Sequence, residues 1–102
     1  MKENSSEVTK YIQIAKKNYR QGNIYQANEI YKKLINQKIF TYDLLISYGL
    51  FNKELKNLQI AKNLFVLSIK KYPSKINSYI LLAEILRQEN NVSEAIKALH
   101  AA

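Results

Sequence analysis

The side chains able to do chemistry are few and scattered. The single histidine, His100, has no nucleophile or carboxylate at a spacing that would make it a general base, so a solvent-facing helix position is its expected place. Asp43, Glu54 and Glu84 show no paired acid/base spacing. Zero cysteines exclude disulfides, thiol catalysis and cysteine-type zinc sites. Two glycines cannot supply a phosphate-cradling GxGxxG, and no GxxxxGK[ST] occurs. No catalytic activity, metal or cofactor is therefore expected. The chemistry left is that of surfaces. Lys16, Tyr19 and Arg20, with Lys32 and Lys33 further on, interleave cations with aromatics. That mixture can hold an acidic peptide or the backbone of a nucleic acid.

The net charge of +8 has two readings. A functional basic surface for nucleic acid or an anionic membrane is one. Compositional bias is the other and carries more weight: Lys, Asn and Ile are all frequent, and they share adenine/thymine-rich codons. The charge is uneven. Residues 1–40 hold eight basic and three acidic groups, residues 41–75 six and two, and residues 76–102 two and three. No run approaches the roughly 18 apolar residues of a membrane span. The polar start, Met1 to Glu7, lacks the apolar stretch of a signal peptide. A cytoplasmic protein is expected.

The elements that must position these residues repeat. Ala27, Ala61 and Ala95 recur at one constant interval, and so do Tyr31, Phe65 and Leu99; Ala15, Gly49 and Ala83; Ile12, Ile46 and Ile80; and Asn23, Asn57 and Asn91. The interval is about 34 residues, the length of a helix–turn–helix repeat. Within each period apolar residues fall three and four apart, as at Val8, Tyr11, Ile12, Ile14, Ala15 and Tyr19, and again at Ile24, Ala27, Ile30, Tyr31, Leu34 and Ile35. These spacings predict pairs of amphipathic helices joined by short turns. Small residues at the Ala15 and Ala27 series allow close helix approach, and the Tyr31 series fills the gap between pairs. Asn23, Asn57 and Asn91 are predicted N-caps, with Gln26 and Glu94 in capping-box positions. Gly22 and Asn90 suit a left-handed helix terminus; Lys56 does not, so the middle turn is expected to differ. Thr41 and Ser74 are the predicted caps of the third and fifth helices, and Pro73 ends the fourth.

The pattern resembles the tetratricopeptide repeat (TPR) family, whose signature runs W-x2-L-G-x2-Y, then A-x3-F, then P. The repeat starting at Tyr42 is most similar, with Gly49, Ala61-x3-Phe65 and Pro73. The chain departs from the signature in holding Tyr11, Leu45 and Tyr79 in place of tryptophan, and Ile39 in place of the first proline. The resemblance implies an all-α, right-handed solenoid of about six helices. Its parts would be a polar extension (1–7), repeat 1 (8–41), repeat 2 (42–75) and an incomplete repeat 3 (76–102).

It also implies a function. In TPR proteins the first helix of each pair lines a concave groove that recognises a protein or peptide, without catalysis. The corresponding partner-binding residues are Ile12, Lys16, Tyr19 and Arg20 in repeat 1, Ile46 and Leu50 in repeat 2, and Ile80, Glu84 and Arg87 in repeat 3. Lys16 and Arg20 would favour an acidic partner. The isoleucine row Ile12, Ile46 and Ile80 would either anchor the partner or merely pack between adjacent first helices; both remain open. The carboxylate clamp of chaperone-adaptor members is not expected, because its positions hold Ile12, Lys16, Ser47, Asn77 and Leu81. Nucleic acid is a lesser alternative partner, and no membrane partner is expected. Some bacterial proteins of this repeat type carry such an arm ahead of a sulfotransferase or glycosyltransferase domain, so a non-catalytic arm of a larger transferase is the other alternative. Repeat 3 stops inside its second helix, where Ile96, Ala98 and Leu99 would be left partly uncovered. A longer protein, a partner or self-association through this uncapped C-terminal helix is expected to cover them.

Overall fold

A computed structural model describes residues 5–89. These residues form five α-helices and no strand: α1 (Ser5–Arg20), α2 (Ile24–Asn36), α3 (Tyr42–Glu54), α4 (Leu58–Lys71) and α5 (Ile76–Gln88). The all-α class expected from the helical periodicity is what forms. The segment expected to carry the sixth helix, with Asn91, Glu94, Ala95, Leu99 and His100, lies outside the described residues. The first helix begins earlier than the apolar pattern predicts, at Ser5 instead of Val8. Polar residues can extend a helix start, and Glu7 in the first turn faces the positive end of the helix dipole.

The two short turns, one period apart, share one geometry. Asn23 N–H donates to the Asn18 carbonyl at 2.8 Å and Gly22 N–H to that of Tyr19 at 3.0 Å. Asn57 N–H donates to Asn52 at 2.8 Å and Lys56 N–H to Lys53 at 3.1 Å. This is the Schellman pattern, which satisfies the last carbonyls of the preceding helix. It requires a left-handed residue, supplied by Gly22 (φ 84°) and Lys56 (φ 67°). The expectation that Lys56 makes the middle turn different is thus overturned. The closure imposes the positive φ on whatever residue stands there. It recurs in the longer connection after α2, where Lys38 (φ 63°) donates its N–H to the Ile35 carbonyl at 2.9 Å and Ile39 to that of Leu34 at 3.2 Å.

The capping expectations divide. Thr41 caps α3 as predicted, its Oγ1 accepting from Leu44 N–H at 3.2 Å. Asn23 and Asn57 do occupy the N-cap positions of α2 and α4, yet neither side chain caps. Each instead donates its Nδ2 backwards, Asn23 to Asn18 Oδ1 at 3.4 Å and Asn57 to Asn52 Oδ1 at 3.3 Å. Gln26 therefore has no capping box to complete. The N-cap of α5 is Lys75, not Ser74, again without a side-chain bond.

The chain divides into two compact units, Met1–Leu44 and Leu45–Ala102, with the boundary inside α3. In the first, α1 packs against α2. Ala15 and Ala27, the small residues of the period, are fully buried, and so are Val8, Tyr31 and Leu34. In the second, α4 packs against α5. Ala61, Phe65, Leu82, Ala83, Ile85 and Leu86 form its core cluster. Gly49 of α3 lies so close to Phe65 that a Cβ there would stand 2.8 Å from the ring Cζ. The phenyl ring of Phe65 thus fills the space that Gly49 leaves within the α3–α4 pair, and its cluster with α5 fills the gap to the next pair that the sequence predicts. Two polar contacts lock α5 in place. Ser68 and Ser78, both fully buried, share a hydrogen bond at 2.7 Å, and Tyr79 OH donates to the Pro73 carbonyl at 2.9 Å.

Candidate functional site

The residues expected to bind a partner occupy the same helical register in α3 and α5. Ile46 and Leu50 on α3 are four apart and Lys53 follows three residues later, so Lys53, which is not among the expected contacts, shares their face. Ile80, Glu84 and Arg87 repeat that spacing on α5, one period later. An ion pair ties the two rows together: Lys53 Nζ stands 3.4 Å from Glu84 Oε1. Both side chains are partly solvent-exposed, so the pair is a register mark more than a source of stability, worth about 0–1 kcal/mol.

Exposure separates the three isoleucines that sequence treats alike. Ile12 is 0% exposed and packs inside the protein. No partner can reach it, so its place among the expected contact residues is corrected to packing. Ile46 is half-buried against the core cluster of the second unit. Ile80, at 41%, is open to solvent, and so is Leu50 at 37%. The second unit therefore presents two apolar side chains beside a Lys–Glu pair, with exposed Arg87 one turn beyond Glu84. In the first unit, Lys16 and Tyr19 are half-buried and Arg20 is exposed near the end of α1.

This arrangement suits the capture of an apolar side chain inside a polar rim. Among the described residues no cluster of His, Asp and Glu could hold a metal ion. Asp43 and Glu54 lie exposed on α3, and Glu84 is engaged with Lys53. Among the described residues no helix is long and apolar enough to cross a membrane.

Two features escaped the sequence reading. The first is the pair Asn18 and Asn52, also one period apart, each donating Nδ2 to a carbonyl one turn back, Ile14 at 3.0 Å and Tyr48 at 2.9 Å. The interval could have shown them. The second is a hollow of about 210 Å³ in the first unit, lined by Tyr11 of α1 and by Ile30, Lys33, Leu34 and Gln37 of α2. Beside Tyr11, Ile14 is also exposed, although the counterparts of these two residues in later periods, Leu45, Tyr48, Tyr79 and Leu82, are all buried. Periodicity alone gives these positions one identity; only packing tells them apart. No protein-family model matches the chain, and no curated protein matches it.

Proposed function

We propose that this chain is a tetratricopeptide-like repeat protein that recognises a protein or peptide partner without catalysing a reaction on it. The observation that carries this is the α3–α5 face: exposed Leu50 and Ile80, flanked by the Lys53–Glu84 pair and Arg87, at the positions that line the groove in the family. Apolar anchors inside a charged rim are the usual composition of a peptide-binding surface. The duplicated turn geometry at Gly22 and Lys56 supports the repeat reading independently. Lys16, Tyr19 and Arg20 occupy the corresponding positions of α1 and favour acidic groups on the partner.

The test compares two baits, the parent chain and a Leu50→Asp/Ile80→Asp double variant, in affinity capture from lysate with and without nuclease. Both substitutions are at exposed positions, so the helical circular-dichroism signal should be unchanged. Proteins held by the parent through nuclease and moderate salt, and lost by the variant, support the proposal. Capture that the variant retains, or retention only of nucleic acid with a steep salt dependence, counts against it.

A further inference from the structure

We propose that the α1 face carrying Tyr11 and Ile14 is a docking site for a second copy of this chain, filled by that copy's residues 91–102. It rests on the repeat reading above but uses another face, so either proposal can fail while the other stands.

The second unit shows what such a face takes. Ala61 and Phe65 of α4 cluster with Leu82 and Leu86 of α5, and Tyr79 is buried on the same helix. Two periods earlier, Tyr11 and Ile14 stand where α5 has Tyr79 and Leu82. Leu82 is 9% exposed, yet Tyr11 is 42% and Ile14 is 40% exposed. Register and apolar character are the same; what α1 lacks, among the described residues, is a covering helix of the α4 kind. The hollow beside Tyr11 leaves room for a bulky apolar side chain of that occupant.

The chain itself encodes a matching segment. Residues 91–102 repeat residues 57–68, with Asn91 for Asn57, Val92 for Leu58, Ala95 for Ala61 and Leu99 for Phe65. Ala95 and Leu99 thus carry the apolar pair that α4 uses against α5. Lys10, Lys17 and Lys33 are exposed around the α1 face, and Glu94, next to Ala95, offers them an opposite charge; residues 91–102 hold this one acidic group and one basic group, Lys97. Lys10 and Lys17 replace the buried Ser78 and Ile85 of α5, so this face is built for a reversible contact and not for a permanent core. Donor and acceptor patches differ, which makes the contact heterologous and adds copies head to tail.

Sedimentation velocity of the full chain over a concentration series tests this, with Ile14→Asp blocking the acceptor and Leu99→Asp blocking the donor. The parent should rise above its 11.9 kDa monomer mass as concentration increases. Each variant alone should lose that rise. An equimolar mixture of the two should recover a dimer and nothing larger, because one acceptor and one donor remain. Circular dichroism checks folding, and Tyr11→Ser, at an exposed position, serves as the second acceptor variant if Ile14→Asp unfolds. A parent chain that stays monomeric overturns the proposal. So does association that survives the acceptor variants or Leu99→Asp, or a mixture no larger than its parts.

Discussion

Gly22 and Lys56 adopt the same left-handed conformation at equivalent points of successive periods, with φ 84° and 67°. The asparagines that follow have nearly identical torsions: φ −85°, ψ 69° at Asn23 and φ −84°, ψ 68° at Asn57. One backbone geometry is thus built twice, once with the residue that favours it and once with a residue that resists it. A non-glycine residue in this region costs about 1–2 kcal/mol.

Lys56→Gly should therefore stabilise the protein by about 1 kcal/mol, and Gly22→Lys should destabilise it by a similar amount. A Cβ at Gly22 would meet nothing within 4 Å, so the effect there is purely conformational. For a domain of this size a change of about 1 kcal/mol corresponds to a shift of about 4–8 °C in Tm, measurable by thermal unfolding. Equal melting temperatures for parent and Lys56→Gly would show that the turn carries no strain.

The asparagine pairs should differ in worth although their bonds match. Asn52 is buried, donating to Tyr48 and accepting from Asn57, whereas Asn18, which donates to Ile14 and accepts from Asn23, is only half-buried. Asn52→Asp would place a carboxylate in a buried site and lose the donor that Tyr48 accepts, with a loss of about 1–3 kcal/mol. Asn18→Asp should lose less, because water reaches that site. Urea unfolding of both variants decides the ranking.

Gly49→Ala should overpack the contact with Phe65, at a cost of about 1–3 kcal/mol. The clash is with the ring itself, so Phe65→Leu in the same chain should recover part of that loss. Non-additivity in the double-mutant cycle is the expected result. Additive effects would mean that the helices move apart to accept the methyl group.

Ser68 and Ser78 form a buried hydroxyl pair, so removing one partner should hurt more than removing both. Ser78→Ala should destabilise by about 1–3 kcal/mol by leaving the Ser68 hydroxyl without that partner, whereas Ser68→Ala/Ser78→Ala should lie close to the parent. Chemical denaturation of the two single variants and the double variant checks this ordering.

Among the described residues, the sequence alone determined the five helices and the turns that separate them, because apolar spacing and turn residues act locally and the period repeats that local information. It did not place the start of α1 or the N-cap of α5. It determined that Gly49 must be small and that Phe65 fills space, since both follow from the period. Tertiary structure alone decided the fate of equivalent positions. Ile12, Ile46 and Ile80 share one register, yet one is sealed, one half-covered and one open; Tyr11 and Tyr79 divide the same way. Burial depends on what packs over a residue, and that neighbour comes from another part of the chain. The left-handed Lys56 and the backward-donating asparagines have the same origin. Intrinsic preference at a single residue is worth about 1 kcal/mol, and the geometry imposed by two docked helices outweighs it.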